Sequence, residues 1–402
     1  MFYSLFTCLG LAVCGLIRPI PTSTQSVATR SVSTGAHAAE TVVFKNGEDG
    51  YTCYRIPAIV KAPSGELLAF AEGRKSDCGD FGDVDIVLKT SRDNGQSWSP
   101  VRIVADYGLA QAGNPAPVFD LTDSRFPNGR LFMIYNTGIA SEKDVRDGKA
   151  IREVWYKTST NGGQTWSEPV NITISVNRPN KPEINASFAF PDDWRSYANT
   201  PGHALQMQNG RYKGRLFVAA NHSEGREQPQ FRDYRAHGFY SDDHGKTWKL
   251  SATVSYPGGN ESTAAETSTG SLLMNSRNQS GDVKNRLLSF STNAGKTWDR
   301  VTIASDLPDP ICQGSMINYY TANKQTVLLF SNLNSQTKRE KLTIRASQDD
   351  GKSWSAGKEI YNGSAAYSDL VVQQDGKVGV LYEKDDYTMI TYVSIPYQDL
   401  VR

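Results

Sequence analysis

Five cysteines and five histidines in 402 residues leave little material for a metal centre. Cys8 and Cys14 fall near the N-terminus, so the rest of the chain holds Cys53, Cys78 and Cys312. A three-cysteine site has no obvious fourth ligand here and no paired-histidine spacing accompanies it, which argues against metal catalysis and any metal cofactor. An excess of one charge is also missing. Lys+Arg 43 against Asp+Glu 42 give +1, and removing residues 1–38, which carry Arg18 and Arg30, takes the balance to −1. Without a basic tract, nucleic acid is excluded as the expected partner. The apolar runs are separated by turn residues and show no ten-residue helical periodicity, so the expected class is all-β. No linker-like stretch interrupts residues 41–402.

The N-terminus differs from the rest. Phe2–Ile17 is a mostly apolar run of 16 residues, short for a bilayer crossing of about 20. A Ser/Thr-rich stretch from Pro21 to Gly35 follows, and Ala36-His37-Ala38 has the small-x-small form of a cleavage site. Residues 1–39 are therefore expected to be a leader and the product to be secreted, with an uncleaved membrane anchor as the alternative. Sequons stand at Asn171, Asn185, Asn260, Asn278 and Asn362, relevant in a host that glycosylates secreted proteins.

What the chain does have is a repeat. Ser, any residue, Asp or Asn, any residue, Gly, any residue, Ser or Thr, Trp recurs at Ser91–Trp98, Ser159–Trp166, Ser241–Trp248, Ser291–Trp298 and Ser347–Trp354, with successive serines 68, 82, 50 and 56 residues apart. The short carboxylate or amide can bond backbone N–H groups in a tight turn, Gly supplies a positive φ, and the Trp can lie over the turn as a clasp. Fixed chemistry at loose spacing marks a repeat architecture, and these boxes report scaffold.

Each box closes a longer unit. Arg55–Val60 and Gly202–Met207 open their units. Second runs follow at Leu67–Ala71, Leu131–Tyr135, Leu216–Ala220, Leu272–Met274 and Val327–Phe330. Third runs at Asp85–Lys89, Val154–Lys157, His237–Tyr240, Arg286–Phe290 and Leu342–Arg345 lead into the boxes. A sixth unit, with no box, has Tyr367–Val372, Lys377–Tyr382 and Thr388–Val393, and Thr41–Phe44 is expected to supply its fourth strand. That closure leaves no long open edge. The expected fold is a six-bladed β-propeller over about residues 40–402, with roughly 60 residues per blade.

Topology then sorts the side chains. In a four-stranded blade the starts of first strands, the ends of second strands and the second-to-third loops share one face, and the boxes lie on the other. Arg55, Glu261 and Tyr367 begin first strands, Arg74 and Arg277 end second strands, and Asp80 and Arg339 lie in or beside second-to-third loops. Converging arginines call for an anion, and the planar guanidinium fork suits a carboxylate. A tyrosine is a poor nucleophile, its deprotonation at pH 7 costing about 4 kcal/mol, unless a carboxylate such as Glu261 takes the proton during attack. Asp80 could protonate a leaving oxygen.

These residues resemble the bacterial-type exo-α-sialidases over about residues 41–395. Tyr54-Arg55-Ile56-Pro57 is similar to that family's Phe/Tyr-Arg-Ile-Pro motif, whose Arg is the first of three that bind the sialic acid carboxylate. Leu68–Arg74 followed by Asp80–Asp85 resembles its acid/base region, which implies Asp80 as the acid/base and Arg74 as an auxiliary substrate contact. Asn260-Glu261 before Leu273–Arg277 resembles the segment of the base Glu and the second Arg. Arg339–Thr343 resembles that of the third Arg, and Ala366–Leu370 that of the nucleophilic Tyr. Glu266 is a rival to Glu261, and Arg345 a rival to Arg339 that falls at the box end of its strand. The resemblance implies metal-free release of terminal sialic acid from glycans with retention. The nucleophile is a neutral phenol because the anomeric carbon carries a carboxylate that would repel Asp or Glu, a departure from the two-carboxylate scheme. No obligate protein partner is evident. A trans-sialidase with a sugar acceptor and a non-catalytic sialoglycan-binding propeller are the alternatives, and the latter has no need of Tyr367, Glu261 and Asp80 together. Cys53 lies two residues before Arg55 and Cys78 two before Asp80, so if the two active residues meet, a disulfide between them is expected, with two buried thiols as the alternative.

Overall fold

Short β-rich runs bounded by turn residues become strands throughout, in a computed structural model that describes Met1 and residues 40–401. The expected leader and its cleavage site lie outside the described residues, Met1 apart. Among the described residues no helix is long and apolar enough to cross a membrane.

Among the described residues, six antiparallel groups of four strands follow one another. The first group is Cys53–Lys61, Leu67–Arg74, Val84–Ser91 and Arg102–Ala105. The second is Gln111–Asp120, Arg130–Gly138, Glu153–Ser159 and Val170–Asn171. Trp194–Asn199, Leu216–Glu224, Tyr234–Ser241 and Lys249–Leu250 make the third. The fourth is Gly259–Glu266, Leu272–Asn278, Asn285–Ser291 and Arg300–Pro308. Ser315–Tyr320, Thr326–Leu333 and Glu340–Ser347 pair in the fifth with the start of the long strand Lys358–Val372. The rest of that strand opens the sixth group, with Val378–Lys384, Met389–Ile395 and, as its last member, the N-terminal Glu40–Lys45. The expected pairing of the N-terminal strand with the last unit is therefore present, with Glu40–Lys45 as the outer strand of that sheet.

One expected strand differs. Gly202–Met207 contributes only Leu205–Gln206 to the third group, and Trp194–Asn199 does most of the pairing. Pro201 has no N–H for the ladder and Gly202 has φ +102°, so the chain breaks between the two pieces.

All five boxes share one geometry. In the first, Ser91 Oγ accepts from Gly95 N at 2.8 Å, and Asp93 Oδ1 accepts from Ser97 N at 2.9 Å. The tryptophans reach farther than a local clasp. Trp98 packs on Tyr392 of the sixth group, Trp166 on Phe70 of the first, Trp248 on Phe132 of the second and Trp298 on Phe217 of the third, with ring centroids 5.5–6.4 Å apart. Four of the five box tryptophans thus pack on an aromatic ring of another sheet, and Trp354 of the fifth box lies in a core cluster with Leu273 and Leu288 of the fourth group. Glycine is required at these contacts: Gly245 has φ +76°, and a Cβ there would stand 2.5 Å from the Phe132 ring.

Buried carboxylates do a similar job between groups. Asp369 accepts from Ile59 N, His203 N and Ser315 Oγ at 2.6–3.0 Å, joining the sixth group to the first, third and fifth. Glu72 accepts from Asn114 N at 2.8 Å, joining the first to the second.

Candidate active site

The first strands carry a recurring irregularity at the end away from the boxes. The pairing register slips between Arg55 and Ala58, Gly113 and Ala116, Trp194 and Tyr197, Gly259 and Ser262, and Ala365 and Ser368. A bulge adds a residue to one strand and re-aims its side chain. Arg55, Glu261 and Tyr367 all lie in or at the edge of these slips, and Ile56 takes φ +58° in the first.

Three predicted residues meet directly. The Tyr367 phenol donates to Glu261 Oε1. Arg277 Nη1 donates to Glu261 Oε2 at 2.7 Å and to Tyr367 Oη at 3.2 Å. Two more arginines flank the ring, with Cζ of Arg55 5.7 Å and Cζ of Arg339 5.8 Å from its centroid. Burial, reinforced by the Glu261 carboxylate, holds the Tyr367 hydroxyl well above the usual phenol range. The resting phenol is neutral, with its proton already aimed at a carboxylate.

The charge count favours an anion. Arg55 is bound by Glu383 through Nε at 2.7 Å and Nη2 at 3.3 Å, and Arg277 is bound by Glu261. Arg339 donates to Tyr387 Oη at 3.1 Å and Ile311 O at 3.3 Å and makes no ion pair among the described residues. Three guanidinium groups thus face two carboxylates.

Asp80 and Arg74 form a second centre. Arg74 is 2 % exposed and donates to Glu72 at 2.6 and 3.1 Å and to Cys78 O at 2.6 Å, and its Nη1 lies 2.9 Å from Asp80 Oδ1. The Asp80 side chain is 68 % exposed. Arg74 therefore secures the Asp80 loop from within. The loop is held again by Gln111, whose Nε2 donates to Asp80 O at 2.8 Å, and by a disulfide between Cys53 and Cys78.

The rivals lie elsewhere. Glu266 accepts from Gln208 N and Asn209 N at 2.8 and 2.9 Å, tying the fourth group to the third. Arg345 donates to Asn332 and Asn334. A cavity of about 290 Å³ lined by Ile59, Val118, His203, Ala264, Met316 and Leu370 opens at the far ends of the first strands, away from Tyr367. Asp120, Asp123 and His244 bring ligand-type atoms within 4.8 Å of one another. Yet Asp123 is held by Arg125 at 2.6 Å, and Asp120 is bonded by Gln206 and His244, so these groups are already satisfied as a tie at the box side.

Sequence reasoning missed three side chains. Glu383 accepts from Arg55, Ile56 N and Tyr367 N, Tyr387 touches Arg55 and Arg339, and Cys312 is a buried thiol pushed up to about 12 by burial. Glu383 ends a second strand and Tyr387 lies in a second-to-third loop, the placement that singled out the others, so the same topological sorting could have found both.

Residues 65–380 match the BNR repeat-like domain family. The chain is 32% identical to a sialidase of Micromonospora viridifaciens over 357 residues, which cover 84% of this chain and 51% of that protein. It thus spans about half the length of that relative. An exo-alpha-sialidase of Aspergillus fumigatus is 31% identical over 368 residues, covering 84% of this chain and 80% of the relative. Among solved structures, the Hadza microbial sialidase Hz136 superposes with a TM-score of 0.76 at 26% identity, over 90% of this chain and 69% of that one.

Proposed function

The chain belongs to the BNR-repeat sialidase family of glycoside hydrolases, and we propose that it is an exo-α-sialidase that releases terminal sialic acid from glycans with retention, through a closed six-bladed propeller. The carrying observation is the contact of Tyr367 with Glu261 and Arg277. A buried phenol hydrogen-bonded to a carboxylate is a nucleophile whose proton has somewhere to go. In the proposed course Arg55, Arg277 and Arg339 hold the substrate carboxylate. Tyr367 attacks the anomeric carbon as Glu261 takes the phenolic proton, and Asp80 protonates the departing glycan oxygen. Water, deprotonated by Asp80, then attacks the anomeric carbon and breaks the glycosyl–tyrosine bond, and Glu261 returns the proton to the departing Tyr367 oxygen.

Ring closure is supported by the pairing of Glu40–Lys45 with Met389–Ile395 and by Trp98 packing on Tyr392, which join the first and last parts of the chain. A secreted address, with residues 1–39 as leader and the remainder as the catalytic domain, is supported by the Cys53–Cys78 disulfide, a bond that persists in oxidising compartments. The test is mass spectrometry after incubation with sialyllactose, with and without a galactoside acceptor. Free sialic acid is the expected product in both. Transfer to the acceptor would replace hydrolysis by trans-sialidation, and unaltered substrate would leave only binding.

A further inference from the structure

We propose that Tyr387 is a positioning residue that sets the guanidinium groups of Arg55 and Arg339 at the spacing one carboxylate needs. The inference rests on the carboxylate clamp of the proposed function and adds a residue to it.

Two contacts define the role. The Tyr387 ring centroid lies 4.1 Å from Arg55 Cζ, a cation–π distance. Its hydroxyl accepts from Arg339 Nη1 at 3.1 Å. Glu383 fixes the edge of Arg55, which leaves the guanidinium free to tilt about that edge, and the ring closes off the tilt. Arg339 lacks a carboxylate partner among the described residues, so the Tyr387 hydroxyl and Ile311 O are what orient it. Tyr387 is thus one side chain touching two of the three arginines.

The backbone beneath it is costly. Asp385, Asp386 and Tyr387 have φ of +51°, +53° and +67°, three successive left-handed residues ending on a bulky aromatic. Such strain persists where the surroundings over-determine it. Here Asp385 N donates to Ser364 O at 2.9 Å, Asp386 Oδ1 accepts from Ser364 Oγ at 2.7 Å, and Asp385 also accepts from the Tyr361 hydroxyl. On the other side Asn46 Nδ2 donates to Tyr387 O at 2.8 Å and Asn46 N to Thr388 O at 3.1 Å. A glycine would relieve the strain and lose both arginine contacts, which is the physical reason for a tyrosine in a place that disfavours one.

The variants are Tyr387→Phe, which keeps the ring on Arg55 and loses the Arg339 bond, and Tyr387→Ala, which loses both. Each is assayed for KM and kcat on sialyllactose and on an activated aryl sialoside, for inhibition by free N-acetylneuraminic acid, and for thermal midpoint. Tyr387→Phe is expected to raise KM and the inhibition constant about 3- to 10-fold, and Tyr387→Ala about 10- to 100-fold. The sialyllactose-to-aryl ratio of kcat/KM should stay at the wild-type value, since the acid is untouched. Wild-type KM and inhibition constant in Tyr387→Phe would overturn the role of the hydroxyl and hence the proposal. So would losses of kcat with affinity unchanged, because a merely structural defect acts that way. Tyr387→Phe keeps the test open should Tyr387→Ala not fold. A wild-type protein that N-acetylneuraminic acid does not inhibit would sink the clamp itself and the proposed function with it, an outcome distinct from unchanged variants of an inhibited wild type.

Discussion

Glu383 offers the sharpest test of how the site is held. Its carboxylate is buried and accepts four donors: Arg55 Nε and Ile56 N on Oε1, Arg55 Nη2 and Tyr367 N on Oε2. Both neighbours of the clamp thus hang on one group, since it orients Arg55 and anchors the backbone of Tyr367. Glu383→Gln keeps the shape and removes the charge. Whichever way the amide is turned, its NH₂ faces two donors, so two N–H groups lose their acceptor and Arg55 loses its counter-charge. The Arg55 side chain is 11 % exposed and that of Glu383 1 %. Breaking a buried pair by altering one partner costs about 3–5 kcal/mol. With unfolding entropy near 2.1 cal/mol/K per residue over about 360 residues, that is a fall in Tm of about 4–7 °C. Catalysis should suffer separately: a clamp arginine no longer aligned forfeits a charge-assisted bond of about 1.5–3 kcal/mol, roughly 10- to 200-fold in kcat/KM. Calorimetry and steady-state kinetics on the same preparation read both. A Glu383→Gln protein with Tm within about 1 °C of wild type and unchanged KM would refute the reasoning, because the four donors would then have been satisfied without the carboxylate.

Tyr367→Phe removes only the hydroxyl, so sialic acid binding should persist while kcat falls by orders of magnitude, and a fluorinated sialyl donor should label the wild-type peptide that contains Tyr367; labelling of a different peptide counts against it. Asp80→Ala should harm sialyllactose hydrolysis far more than hydrolysis of an activated aryl sialoside, whose leaving group needs little protonation, and equal losses on the two would make Asp80 structural. Gly245→Ala is expected to destabilise by about 2–4 kcal/mol, combining a left-handed φ with a Cβ driven into Phe132, and a chemical-denaturation midpoint unmoved from wild type would show that the sheet contact yields freely. His222 and His237 share one Nδ1···Nδ1 hydrogen bond at 3.0 Å, and burial holds both well below the usual histidine range, with Arg235 adding to it at His222 and His222 itself at His237. Below about pH 6.5 the unfolded chain binds protons that the folded one refuses, so stability should fall as pH drops, by up to about 1.4 kcal/mol per unit per histidine. A His222→Gln, His237→Gln protein should lose that slope, and an identical slope would place its origin elsewhere.

Much of the fold was legible in the residues. Five boxes fixed the third-to-fourth turns, and the apolar runs between them match observed strands at almost every position, because a run such as Leu67–Ala71 is buried along its whole length and has no other conformation that satisfies it. The third unit is the exception. There Pro201-Gly202 divides the first strand, and an apolar pattern alone cannot say which half pairs. The box tryptophans show a different limit. Their local chemistry explains the turn, but the aromatic partners on other sheets lie about 80 to 300 residues away, and no local pattern encodes them.

The site divides in the same way. Alternating strand direction is a property of the sequence order, so it determined that Arg55, Asp80, Glu261, Arg277, Arg339 and Tyr367 belong to one face. Which of them touch was decided by tertiary structure, since the bulges at Arg55, Glu261 and Tyr367 turn side chains by amounts that depend on the neighbouring strand. Arg74 shares the face by topology but is enclosed beneath the Asp80 loop, because Glu72, two residues away on its own strand, captures it at 2.6 Å. Glu383 and Tyr387 carry no local mark that separates them from ordinary charged and aromatic loop-end residues. Their roles exist only once the sixth sheet is seated beside the first, where a buried guanidinium must find a carboxylate to lie against and an aromatic face to close over it.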